Sequence, residues 1–200
     1  MQLRPTLFAL IFLVLSGCTS SKMRVASQQE LSPAPPGKAQ IVFLRSSFVG
    51  GDIQSPVYDV TSGNPFFIGI VANNTKVRHL TDPGRRIFMV VSQAADFMQA
   101  ELVAGRTYYA IVTPNAGEEE GRFSLHPIRK DPASAFSTAS PDFAVWLANT
   151  RLVDNTPESE KWARDNNRNI GEKYHDFWPT WLGKNPEEKK QLTLRPDDGE

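Results

Sequence analysis

Few side chains in this 200-residue sequence stand at spacings that chemistry uses. Its one thiol is Cys18, so no intrachain disulfide can form. Its three histidines, His79, His126 and His175, are scattered, and none has a neighbouring Cys or second His. A zinc site needs three or four converging ligands, so His79 and His126 read as structural residues near strand ends. Glu172-x-x-His175 has the i, i+3 spacing found on one helix of a di-metal carboxylate site. Such a site needs the motif twice and further Glu ligands; here it occurs once, beside Lys173, and reads as a solvated face. Glu118, Glu119 and Glu120 are adjacent, so their carboxylates point in different directions and suit a solvated loop. Arg78, Arg85, Arg86 and Arg106 fall near two turns and are the candidates for an anion-binding patch, with ordinary turn residues as the plainer reading. Asp52, in the glycine-bearing loop Ser46–Gln54, is a lone carboxylate where acid/base chemistry needs a pair. No G-x-S-x-G, Cys–His pair or phosphate-cradling glycine loop is present, so no catalytic set, metal or cofactor is implied.

The elements that would position these residues follow from pattern. Hydrophobic residues make up 40% of the chain, enough for a core, and the formal charge is zero, which gives no support to nucleic-acid binding. Residues 38–130 carry 10 basic and 8 acidic side chains, a net of +2; residues 131–200 carry 9 and 13, a net of −4. The asymmetry permits the second part to dock on the first.

Lys38 to Lys130 predicts a β module of about eight short strands at roughly ten-residue intervals, separated by turn signals. Gln40–Arg45 is a continuous apolar run suited to a central strand. Asp82-Pro83-Gly84 is a turn in which Pro pre-sets one backbone angle and Gly tolerates positive φ. It leads into Ile87–Val91. Met98, Ala100 and Leu102 alternate with Gln99 and Glu101, a half-buried pattern. Ala104-Gly105 is another turn, ahead of the aromatic and β-branched run Thr107–Thr113. The expected fold class is therefore mainly β, a β-sandwich-like antiparallel module, followed by a helical, Trp-rich extension over 131–200. There, Ser140-Pro141-Asp142 starts a short helix and Thr156-Pro157-Glu158 starts a second. Trp162, Asn166, Ile170, Tyr174, Phe177, Trp178 and Trp181 form an aromatic stripe at helical spacing. Gly171 and Pro179 should bend or end that helix, and Glu187–Glu200 should fray.

The N-terminus has a different character. Arg4 precedes Leu7–Leu15, an uncharged apolar run too short for a comfortable permanent span. Leu15-Ser16-Gly17-Cys18 follows, and it resembles the lipobox of bacterial lipoproteins. The resemblance implies a signal peptide over 1–17, cleavage before Cys18, and acylation there by diacylglyceryl and palmitate-type chains. Each buried CH₂ contributes about 0.8 kcal/mol, so several chains make a stable anchor. Thr at position 19, where Asp marks inner-membrane retention in enterobacterial lipoproteins, implies the outer membrane, facing the periplasm. Residues 18–37 read as a lipidated flexible tether, with Pro33, Pro35, Pro36 and Gly37 and few apolar residues. Fully extended, it would reach roughly 60 Å at about 3.3 Å per residue.

The order Gly37-Lys38-Ala39, Phe43, Val57-Tyr58-Asp59, Ile68-Gly69, Pro83-Gly84 and Gly105-Arg106-Thr107-Tyr108-Tyr109 resembles the bacterial envelope family called domain of unknown function 2846. The likeness covers residues 38–130. It implies a lipoprotein with a β-sandwich-like domain and transfers no catalytic residue.

These readings lead to an expected non-enzymatic binding or scaffolding role in the cell envelope, with an envelope protein or glycan as partner. The alternatives are a cell-wall-acting hydrolase sited at Ser46–Gln54 and a carbohydrate-binding module using the tail aromatics. Phe48, Asp52, Trp178 and Trp181 are the candidate contact residues, beside the four arginines and the lipidation site Cys18.

Overall fold

The computed structural model describes residues 22–46, 53–115 and 121–200. In chain order the elements are β1 (Arg24–Val25), β2 (Ala39–Arg45), β3 (Ser55–Asp59), β4 (Phe66–Val71), β5 (Thr75–Thr81), β6 (Gly84–Val91), β7 (Ala95–Leu102), β8 (Thr107–Pro114) and β9 (Phe123–Ile128). Then come α1 (Pro141–Asn149), β10 (Arg151–Asp154), α2 (Pro157–Asp165), α3 (Asn167–Gly183), α4 (Pro186–Gln191) and β11 (Thr193–Leu194). A 3₁₀ turn over Pro196–Asp198 precedes the C-terminus. The strands form two sheets, β1-β10-β5-β2-β8-β9 and β11-β7-β6-β3-β4.

The expected mainly β fold is what the chain adopts. Its sheets are mixed, however, rather than wholly antiparallel. β2 runs parallel to β8, β10 to β5 and β11 to β7. Strand direction depends on which distant segments pair, and side-chain alternation is blind to it.

Period-two alternation explains why so many strands are apolar on both faces. Phe43, Phe88, Val90, Tyr108, Ala110 and Val112 point between the sheets, where Phe43 and Phe88 meet edge to face at 5.1 Å. Gly69 lies in the same layer, where an added Cβ would sit 2.9 Å from Val77 Cγ1, so only glycine allows this approach of β4 to β5. The alternate residues of the first sheet, Val42, Leu44, Tyr109 and Ile111, form a second cluster under Phe143 of α1. Those of the second sheet, Tyr58, Met89, Val91 and Phe97, form a third under Ile170, Tyr174 and Trp181 of α3. The molecule is thus four layers deep: helix, sheet, sheet, helix.

Both predicted helix starts are present. Ser140 caps α1, and Thr156 caps α2 through a reciprocal bond pair with Ser159. The break in the aromatic stripe falls at Asn166, not at Gly171 or Pro179. The Asn166 side chain donates to the Trp162 carbonyl at 2.8 Å, and its backbone leaves the helical region at φ −95°, ψ 1°. Pro179 is accommodated on the exposed side near the end of α3.

Two segments expected to be loose are built in. Residues 22–37 are not a free tether: Met23 and Ala26 are buried, β1 pairs with β10, and Gln29 bonds the backbone of Leu152 in both directions. Residues 187–200 are not frayed. Leu194 is fully buried, Thr107 and Glu200 exchange both backbone hydrogen bonds at 2.9 Å, and Asp198 accepts from Lys130 N and Arg195 N. An added Cβ on Gly199 would stand 2.6 Å from the Tyr108 ring, so the chain end is seated against that strand. The region 131–200 therefore contributes a strand to each sheet, besides its helices.

Candidate functional site

Cys18, Phe48, Asp52 and Glu118–Glu120 lie outside the described residues. The four arginines do not converge. Arg78 is exposed on β5, in the first sheet. Arg85 donates to Gln99 Oε1 at 2.7 Å. Arg86 stands between Asp59 and Asp82, 3.9 Å from each. Arg106 donates to the Pro196 carbonyl at 3.0 Å and so holds the C-terminal turn. Arg85 does help line a cationic cleft of about 320 Å³ with Lys189, Lys190 and Arg195.

Trp181 is 3% exposed and Trp178 is half-buried. Both face the Phe97 ring, at 6.2 and 5.4 Å. Their aromatic surface is spent on packing α3 to the second sheet, which leaves no flat Trp platform for a sugar ring. Of the histidines, His79 lies between Phe66 and Phe88, and His126 lies 4.9 Å from Phe136. Burial holds both imidazoles below their ordinary value, against the opposing pull of Asp59 on His79 and Asp96 on His126. Among the described residues no three His, Cys, Asp or Glu groups are close enough to hold a metal.

Buried cations are present, and they serve the frame. Lys76 of β5 donates to the carbonyls of Leu147 and Thr150, both at 2.8 Å, tying the end of α1 to the first sheet. Burial lowers its pKa. Arg45 lies 4.2 Å from the Phe123 ring centre and donates to the Ile53 carbonyl; burial brings it down to about 10.

One cleft of about 530 Å³ lies between His126, Arg129 and Phe136 and the α3–α4 segment at Lys184 and Glu188, and two more open where α2 and the start of α3 lie over the second sheet. Here α2 separates two clefts. One, of about 480 Å³, joins Ile53 and Gln54 to Trp162, Ile170 and Lys173. It brings the C-terminal end of the Ser46–Gln54 loop against the N-terminal end of the aromatic stripe. Lys173 closes it by donating to the Gln93 carbonyl at 2.5 Å. The other cleft, of about 620 Å³, has Tyr58, Phe66 and Phe67 on its strand side. Its helix side carries Asn155, Glu160 and Arg164. Both volumes fall in the range of roughly 300–1,000 Å³ usual for small-molecule sites.

Tyr58 distinguishes the second cleft. It is 3% exposed, its ring lies 5.6 Å from that of Phe67, and its hydroxyl has no hydrogen-bond partner among the described residues. Burial raises its pKa strongly. A buried hydroxyl without a partner costs about 1–3 kcal/mol, and this one is sealed from solvent behind the strand side of the cleft. Tyr58, Glu160 and Arg164 are not among the residues that sequence reasoning selects. Tyr58 reads only as an alternating strand residue, and Glu160 and Arg164 as polar positions of an amphipathic helix.

No family model matches the chain, and no curated protein matches it.

Proposed function

We propose that this protein is a lipid-anchored envelope protein, held in the outer membrane through acyl chains on Cys18, facing the periplasm, and working by binding. The observation that carries this reading is the complete run of Arg4, the apolar stretch Leu7–Leu15 and the box Leu15-Ser16-Gly17-Cys18. The resemblance of residues 38–130 to the envelope family named above supports the same address. Support for binding comes from the two clefts flanking α2. Each has an apolar or aromatic wall with a few polar groups at its rim, which is the general form of a recognition site. Among the described residues no helix is long and apolar enough to cross a membrane.

The test is metabolic labelling with a fatty-acid analogue, with membrane fractionation, of the wild type and Cys18→Ser. Wild type is expected to carry label and to sediment with membranes. Cys18→Ser is expected to lose the label. Equal labelling and equal retention of the two forms would overturn the anchor. Turnover of a cell-wall substrate by the purified protein, abolished by one polar substitution that spares the fold, would replace binding with catalysis.

A further inference from the structure

The folded body begins close to the proposed anchor. Lys22 is already fixed: its carbonyl accepts a hydrogen bond from Thr156 Oγ1 at 2.6 Å, and the next residue, Met23, is in the inter-sheet core. Cys18 precedes Lys22 by four residues, a contour of about 14 Å at full extension. If Cys18 carries acyl chains, the N-cap of α2 cannot stand farther than that from the lipid surface. The tether of roughly 60 Å that composition suggests is not available, because most of it is packed on β10.

What stands beside that N-cap is the Tyr58 cleft. Asn155 precedes Thr156 and lines it, with Glu160 from the first turn of α2 and Arg164 from its last. Glu160 and Arg164 are one helical turn apart, about 6 Å between Cβ atoms. No ion pair joins them, whereas Lys161 and Asp165, one position on, are paired at 2.5 Å. On the strand side Phe66 is 64% exposed, the most exposed large apolar residue among those described. The cleft therefore offers an anion and a cation one helical turn apart and an exposed aromatic edge, all next to the segment that leads to Cys18.

We propose that this cleft binds the zwitterionic head group of a membrane phospholipid of the phosphoethanolamine class. Arg164 takes the phosphate, Glu160 takes the ammonium, and Phe66 enters the interfacial region. The proposal rests on the anchored reading above and names the surface of the body that faces the bilayer. A guanidinium suits a phosphate because its planar donors match two oxygens at once, and a carboxylate is the complementary partner for an ammonium.

The test places a photoreactive benzoyl-phenylalanine at position 66 of the full chain, anchored in vesicles of phosphatidylethanolamine mixed with phosphatidylglycerol. A control carries it at Val145, exposed on α1 of the opposite layer. Irradiation at position 66 is expected to yield a phosphatidylethanolamine adduct in excess of its share of the lipid, and the control to yield little. Arg164→Gln and Glu160→Gln are each expected to reduce that adduct about ten-fold, the loss expected for one charge-assisted hydrogen bond. A protein that incorporates the fatty-acid label yet gives no lipid adduct at position 66 overturns the cleft proposal while the anchor stands. So does an adduct that ignores both substitutions or follows bulk lipid composition, and so does one formed with a glycan or protein in cells. Absence of the label overturns the anchored reading first.

Discussion

The two outer faces of the sandwich are covered in different ways. Over the first sheet, α1 lays Phe143 on Tyr109 at 5.0 Å, and the buried Lys76 ammonium satisfies two carbonyls at the end of the helix. Over the second sheet, α3 brings Tyr174, Trp178 and Trp181 around the single ring of Phe97. Beside that aromatic group α2 sets Trp162 against the inter-sheet core and leaves a cleft on either side. The polar groups tell the same story. The Lys76 side chain under the first cover is matched, whereas the Tyr58 hydroxyl under the second is not.

The largest expected effect comes from removing both covers together. Truncation after Lys130 would delete all four helices and the two inserted strands, taking Val153 and Leu194 out of the inter-sheet core and uncovering Tyr109 and Phe97 on the outer faces of the two sheets. Each fully buried large apolar side chain contributes about 1.5–3 kcal/mol, and a domain has only about 5–15 kcal/mol in total. The truncated chain is expected to lose cooperative unfolding, monitored by circular dichroism on heating. A module that still melts cooperatively at the same temperature would refute this account of the extension.

A smaller effect separates the two covers. Trp181→Ala, at a buried position, is expected to cost about 3–5 kcal/mol by urea titration. Trp146→Ala, at a half-buried position over the first sheet, should cost less than half as much. Equal losses would remove the distinction between one central anchor and a spread contact.

The smallest effect is in pH. His79 packs between the sheets and faces Asp59 and Arg86; His126 lies near Asp96 and packs on Phe136. Both have folded pKa values below the ordinary 6.5. The unfolded chain therefore takes up protons near that pH which the folded chain refuses, so stability is full above it and declines as pH falls through it. Melting temperature should drop between about pH 7 and pH 5, and the His79→Gln, His126→Gln double variant should show a flatter profile. An unchanged slope would mean that other groups set the acid limb.

Much of the architecture was legible in advance because it is local. The turns at Gly84 and Gly105 were legible because both residues take positive φ, +112° and +79°, which glycine adopts without strain. The caps Ser140 and Thr156 were legible because a side-chain oxygen within three residues of a free N–H bonds it wherever the helix packs. The errors share one cause. Residues 22–37 and 187–200 are polar on average, and composition reads such segments as unpacked. A single Met23 or Leu194 aimed into a core, together with backbone pairing to a distant strand, outweighs that average.

By itself the sequence determined the succession of strands and helices and the two-faced apolar strands. Each depends on residues within a few positions of one another, where sterics and side-chain period act directly. Tertiary structure alone decided that the arginines disperse, that Trp181 packs inward, that β2 and β8 run parallel, and that Tyr58, Glu160 and Arg164 share a cleft. Those outcomes join residues up to about a hundred positions apart. Their proximity is set by how the whole hydrophobic surface closes, which no local pattern encodes.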